Sequence, residues 1–266
     1  MQAYDVVLKS RDKDRWCASD YIRLLVKDFI EFHGDRRFGD DKAVIGGLGT
    51  IGRMPVTVIG IEKGRDLKER MEHNFGSAHP EGYRKALRLM KEAEKFHRPI
   101  LCLVDTAGAY AGVDAEDRGQ GEAIAENLLE LSSLKTPIIS IVIGEGGSGG
   151  ALALAVADRL WMMDQAYFSV VSPENCATIL WKSSKDADKA AEALRLTATD
   201  LKNLGIIDEV FETVTPKWGV DRVTEYGRDL KNQIRAEFKK LLAEDKDHLV
   251  DLRYEKYRKM GRKEVQ

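Results

Sequence analysis

Residues 136–158 read TPIISIVIGEGGSGGALALAVAD: an apolar run from Ile138 to Ile143, five glycines between Gly144 and Gly150, and a wholly apolar run from Ala151 to Ala157. The pattern predicts a buried strand, a glycine turn and a short buried helix. Glycine has no Cβ, so such a turn can enter left-handed conformations and present successive N–H groups at a helix N-terminus, where the helix dipole adds positive potential. The natural occupant is an anion, or an oxygen that becomes anionic during a reaction.

Upstream, Ile22, Leu25, Phe29 and Phe32 recur at helical spacing, so residues 20–32 are expected to form an amphipathic helix. AVIGGLGTI (43–51) and MPVTVIGIE (54–62) flank Gly52-Arg53, the glycine-first pair of a hairpin turn. Pro80 opens a helix with Ala86, Leu89, Met90, Ala93 and Phe96 on one face. The strand PILCLVD (99–105), a glycine-containing loop and a helix through Ile124, Leu128, Leu131 and Leu134 complete a crossover into the glycine turn.

Downstream, RLWMM (159–163) and AYFSVVSPE (166–174) are two strands separated only by Asp164-Gln165, which leaves no room for a crossover helix. Ser172 and Pro173 start the next helix. LTATDLKNLG gives a capped helix stopped by Gly205, and IIDEVFE returns as a strand. After Thr215 the chain is charged and helically periodic. The expected organisation is one domain: an N-terminal helical arm over 1–40, a core over 41–214 and a helical tail over 215–266.

The 42 basic and 44 acidic residues nearly cancel, so no global field recruits nucleic acid. Cys17, Cys102 and Cys176 are odd in number, widely spaced and without a CxxC pair, which points to reduced thiols, no structural zinc site and a cytoplasmic setting. The first residues lack a hydrophobic signal core, and no apolar stretch reaches membrane-spanning length.

Three chemistries compete for the turn. Gly144, Gly146 and Gly149 satisfy GxGxxG with Asp164 at a plausible distance for a ribose, yet a dinucleotide-binding unit continues strand, helix, strand, and here one strand follows another. Gly146, Ser148 and Gly150 also spell GxSxG, but His33, His73, His79 and His97 lie upstream and His248 lies in the tail, against the serine, acid, histidine order of hydrolases. An oxyanion hole for an enolate needs only backbone donors, each contributing about 3–4 kcal/mol. Glycines that merely permit tight helix–strand packing are the structural alternative.

GEGGSGGALAL, HPEGYRKALRLMK, AEDRGQGEAIAENL, KGRD, HGDRRFGDD and SPENCATILWK, in their order and spacing, resemble the alpha subunits of bacterial acetyl-CoA carboxylase carboxyltransferase, in the short form that lacks a longer N-terminal helical extension. The resemblance spans about residues 20–210. It implies an α/β crotonase-like (ClpP/crotonase) fold of repeated ββα units. It also implies transfer of a carboxyl group from carboxybiotin, carried on a separate biotin carboxyl carrier protein, to acetyl-CoA, giving malonyl-CoA for fatty-acid synthesis. Backbone donors would stabilise the biotin enolate, and biotin's own nitrogen would take the acetyl proton. The implied partners are a zinc-ribbon beta subunit, the carrier and an ATP-dependent biotin carboxylase, with an α2β2 carboxyltransferase and no metal in this chain.

Carried over residue by residue, the motif places Gly146, Gly147, Gly149 and Gly150 in the donor turn, with Gly149 and Gly150 preferred for their position at the helix start. Gly108 shapes the facing wall, and Lys63, Gly64 and Arg65 line the site or meet phosphate. Glu116, Asp117 and Arg118 are read as capping, Trp181 as packing and His79 as structural. Three departures from the family pattern stand out: Ala107 and Ala111 replace prolines of DTPGAYPG, NFGSAHPEG replaces NFGMPHPEG, and Asn175 replaces the glycine of SPEG. They leave room for a paralogue with a weaker activity or another acyl-CoA acceptor; a non-catalytic subunit and an autonomous crotonase-like hydratase or decarboxylase are the separate alternatives. The basic run KYRKMGRKE (256–264) is read as a solvated helix end.

Overall fold

The computed structural model describes residues 1–215 and 217–261. Two helices, α1 (Ala3–Ser10) and α2 (Ala18–Leu25), precede strand β1 (Lys27–Glu31) and the hairpin β2 (Val44–Ile51) and β3 (Met54–Ile61). Its turn is Gly52-Arg53 with Gly52 at φ +67°, and Ile51 faces Met54 in register. Helices α3 (Leu67–Glu72) and α4 (Pro80–Lys95) lead to β4 (Ile100–Thr106), and α5 (Val113–Asp117) and α6 (Gln120–Ser133) lead to β5 (Ile138–Gly147). Then come α7 (Ser148–Ala155), β6 (Arg159–Met163), β7 (Tyr167–Ser169), α8 (Pro173–Trp181), α9 (Ala187–Leu194), α10 (Ala198–Asn203) and β8 (Glu209–Phe211). The chain closes with α11 (Val220–Leu242) and α12 (Lys246–Lys259).

The strands form one mixed sheet in the order β1-β2-β3-β4-β5-β6-β8. β1, β2 and β3 are antiparallel, whereas β3, β4, β5, β6 and β8 run parallel through helical crossovers. The long β5 divides its edge: Ile139–Val142 pair with β6, and Glu145–Gly147 pair with β7. The consecutive strands β6 and β7 therefore stack along one neighbour at different heights, and the glycine end of β5 gains a strand of its own.

The helix expected over residues 20–32 is corrected. It ends at Leu25, Val26 is extended at φ −114° and ψ 131°, and the chain continues as an edge strand. The cause is tertiary. β2 bears Gly47 and Gly49, where a Cβ would stand 2.9 Å from Phe29 Cζ and from Lys27 O respectively, so β1 can lie close against it. Strand pairing there overrides the helical period of Phe29 and Phe32.

The periodic tail is two helices, divided where Asp245 caps α12 by accepting from the N–H groups of Asp247 and His248 at 2.9 and 3.2 Å. α11 buries Leu230, Ile234, Phe238 and Leu241 against the core, spaced by three or four residues as one helical face. α12 inserts Arg253, 1% exposed, whose guanidinium meets both oxygens of Asp158 at 2.8 and 2.9 Å and the carbonyls of Leu131, Leu134 and Thr136. The first residues of the basic run are not solvated either. Lys256 pairs with Asp208, and Tyr257 Oη donates to Ala155 O at 2.9 Å, closing the end of α7. Residues 262–264 of that run lie outside the described residues.

Candidate active site

The glycine turn forms where β5 passes into α7. Gly147 is the extended N-cap residue, offering no side chain to the helix, and Ser148 takes φ +50°. First-turn N–H groups of an α-helix have no acceptor inside the helix, so this end supplies free donors with the dipole behind them. Ser148 is exposed, Gly149 half-buried and Gly150 buried.

The loop after β4 lies across the turn. A Cβ on Gly150 would stand 2.5 Å from Ala109 N, 2.8 Å from Tyr83 Oη and 2.9 Å from Gly108 C. A Cβ on Gly147 would run into the Ala107 carbonyl. Both positions are glycine because backbone meets backbone there. At Gly149 a Cβ would find ordinary contact with Ile124 Cγ2 at 3.6 Å. Gly146 is tight for a different reason, facing Phe168 and Tyr167 O of β7 at 2.7 and 2.8 Å. Gly108 sits in the facing loop, its N–H donating to Thr106 Oγ1 at 3.0 Å.

Beside the turn opens a cleft of about 550 Å³ lined by Lys63, Glu145, Ser148, Ala107, Phe75 and Asn175, with Arg11 at its wall. Glu145, 3% exposed, is the hub. Its carboxylate pairs with Lys63 Nζ and accepts from Arg11 Nε at 2.8 Å and Tyr167 Oη at 3.0 Å. Arg11 continues to Glu174 at 2.6 Å. Below, Arg15 pairs with the fully buried Asp105, whose other oxygen accepts from Glu145 N at 3.1 Å. Buried charges must be paired, and here every cation faces a carboxylate. Burial pulls the Lys63 ammonium down to about 8; Arg15, Arg11 and Arg70 add to the fall, while Asp105 opposes it.

Of the sequence-named site residues, Lys63 lines this cleft; the glycines adjoin it through Glu145 and Ser148, which do line it, and Gly108 lies in the loop that meets Gly150. Gly64 and Arg65 turn away. Gly64, at φ +79°, packs against the backbone of Arg70, and Arg65 pairs with Asp20 at 2.5 Å along a second cleft of about 770 Å³ with Lys13, Arg15 and Arg70. Phe75 lines both clefts. Its turn is strained. Asn74 and Phe75 are both left-handed, at φ +46° and +54°, which costs about 1–2 kcal/mol per residue outside glycine. The next residue, Gly76, is left-handed too, at φ +75°, and a Cβ there would stand 2.7 Å from Asp105 O.

The rival chemistries lose their partners. Asp164 is taken by Thr213, accepting from its N–H at 2.8 Å and its hydroxyl at 2.6 Å, and among the described residues no histidine lines the cleft beside Ser148. His79 precedes α4 and stacks on Tyr110 with ring centroids 4.3 Å apart. Arg118 ends α5 and closes on Glu81 and Asp114, while Trp181 packs beside Cys176 and Ala190 under the Lys189 ammonium. Sequence reasoning missed Arg11, Arg15, Asp105, Tyr167 and Phe75. A buried glutamate after an apolar strand demands a cation, but local sequence cannot name one 134 residues away.

Residues 1–261 match the family model described as acetyl co-enzyme A carboxylase carboxyltransferase-like. The acetyl-coenzyme A carboxylase carboxyl transferase subunit alpha of Ruminiclostridium cellulolyticum is 57% identical over 98% of both chains. That of Shouchella clausii is 53% identical over 98% of this chain and 80% of its own. Among solved structures, transcarboxylase 12S superposes with a TM-score of 0.69 at 17% identity, over 88% of this chain and 44% of that one. The beta subunit of Pseudomonas aeruginosa geranyl-CoA carboxylase gives 0.64 at 15% identity, over 97% and 46%. The chain spans less than half of these two, and at such identities they establish the fold alone: the crotonase-like fold of carboxyltransferases. With the glycine turn, its facing loop and near full-length identity in agreement, the chain belongs to the family of acetyl-coenzyme A carboxylase carboxyltransferase alpha subunits.

Proposed function

We propose that this chain forms the biotin side of a carboxyltransferase site completed by a beta subunit, and that its turn stabilises negative charge on an oxygen while a carboxyl group passes to acetyl-CoA. The observation that carries the reading is the close seating of the 107–109 loop on Gly147 and Gly150, which brings a second run of backbone to the free N–H groups of α7. Biotin, carried on its own protein, supplies the carboxyl group and a ring nitrogen able to take up a proton. A cleft of about 550 Å³ has room for its bicyclic head.

The chain's own share is electrostatic. Gly149 and Gly150 at the start of α7 offer donors fixed before reaction, so no reorganisation is needed as charge develops. Ala109 N lies close beside Gly150 and would extend the donor set. Lys63 holds a positive charge at the cleft wall, oriented by Glu145. Substrate binding by Arg65 belongs to the neighbouring cleft, where it would meet phosphate, and Gly64 serves only by the close turn it makes against the Arg70 backbone. The wider assembly is a cytoplasmic α2β2 carboxyltransferase, with a zinc-ribbon beta subunit, served by a biotin carboxyl carrier protein and biotin carboxylase.

The test is reconstitution with a beta subunit, carboxylated carrier and acetyl-CoA, reading malonyl-CoA. Product should require both subunits. Gly150→Ala should lower kcat by about 10²–10³-fold, the usual effect of losing one oxyanion donor's geometry, while subunit association persists. A folded, associated wild-type complex that makes no malonyl-CoA would sink the assignment; turnover by the isolated chain would favour an autonomous crotonase-like enzyme.

A further inference from the structure

Phe75 is exposed to 46%, belongs to neither hydrophobic cluster among the described residues, and is held at φ +54° by a turn whose neighbours Asn74 and Gly76 are also left-handed. The turn is tied from both sides. Gly76 N–H donates to His73 O at 2.9 Å, Asn74 Nδ2 donates to Ser77 O at 2.6 Å, and Gly76 rests on Asp105 and Lys63. A strained backbone that persists around an unburied aromatic ring points to a task for the ring, since packing energy does not explain it. The ring borders the cleft holding Lys63, Glu145 and Ser148 on one side and the cationic cleft of Arg15, Arg65 and Arg70 on the other.

We infer that Phe75 is a specificity-determining residue for the carboxyl donor: its ring forms the apolar wall against which the donor's bicyclic head packs, and it bars that head from the cationic cleft next door. The charged side chains on the donor cleft, Arg11, Lys63 and Glu145, are already paired with one another, so polar contacts alone would hold the ureido ring of the head and leave the apolar face of its fused sulfur ring unsupported. A rigid aromatic face supplies area at little entropic cost. The left-handed turn is what aims it. The inference rests on the donor-side reading proposed above.

The test compares wild type, Phe75→Ala and Phe75→Gly in the complex with the beta subunit. Both variants should raise Kd for the biotinylated carrier domain, and KM for the carboxylated carrier, at least tenfold, while KM for acetyl-CoA stays within twofold. Phe75→Gly, which relieves the left-handed strain, should melt at or above the wild-type temperature, separating function from packing. Unchanged carrier Kd in either variant, a rise confined to acetyl-CoA, or a lower melting temperature for Phe75→Gly would overturn the inference. If wild type binds carrier but makes no malonyl-CoA, the donor-side reading fails instead and takes this one with it, an outcome visible before any variant is made.

Discussion

Glu145 shows what one residue can and cannot disclose. It stands in the quoted glycine stretch as a charged side chain, and Lys63 stands in KGRD, yet nothing near either announces that they share a buried pair with Arg11 and Tyr167. The need for a counter-charge is legible from burial; its identity is set by tertiary folding. Asp35, in HGDRRFGDD, is a simpler case. Burial works to raise its pKa, but N–H donors of Arg37, Phe38 and Gly39 at 2.8–3.0 Å and the Arg84 guanidinium outweigh it and bring it to about 2. A carboxylate depressed in the folded state contributes stability that is complete above its unfolded value near 3.8 and lost as pH falls through about 2. The destabilisation caused by Asp35→Asn, measured by urea titration, should therefore be constant from pH 7 to 5 and shrink toward pH 2.

At the scale of the element, the turn between β5 and α7 was largely legible, because glycine spacing and apolar flanks encode strand, turn and helix locally. What the spacing did not show is that the glycines differ in duty. Gly150 faces backbone and Gly149 faces a methyl group. Gly149→Ala should fold as well as wild type or gain about 0.5–1 kcal/mol from helix propensity, whereas Gly150→Ala must displace the 107–109 loop and should lose stability. Equal melting temperatures for the two would contradict this. β1 is the converse lesson. Phe29 and Phe32 carry a helical period, but the edge offered by Gly47 and Gly49 lies well beyond the next turn of chain and is invisible to a local window.

At the scale of the molecule, the parallel crossovers and the consecutive strands β6 and β7 followed from the order of apolar runs, while the place of the tail did not. Its periodicity revealed helices; Arg253 reveals their purpose. One guanidinium joins α12 to Asp158, to the carbonyls of Leu131 in the last turn of α6 and Leu134 just after it, and to the start of β5 through Ile138 N–H, which donates to Asp158 Oδ2 at 2.7 Å. Arg253→Met leaves Asp158 buried without its cation and should cost about 3–5 kcal/mol, read as a lowered urea midpoint. Because Tyr257 also closes the end of α7, the same variant should loosen the far end of that helix, raising amide exchange at Ala155 and Ala157.

Arg11 and Arg15 lie near the start of the chain, and the carboxylates they neutralise lie 134 and 90 residues later. A ribosome therefore delivers the two arginines long before it delivers Glu145 and Asp105, and neither pair can close until β4 and β5 have emerged and paired. Closure over such separations is entropically late. During synthesis the segment holding Arg11 and Arg15 waits without these partners while β4 and β5 are built, and the cleft acquires its charge balance only when that segment folds back on them, so closure of the site follows formation of the sheet.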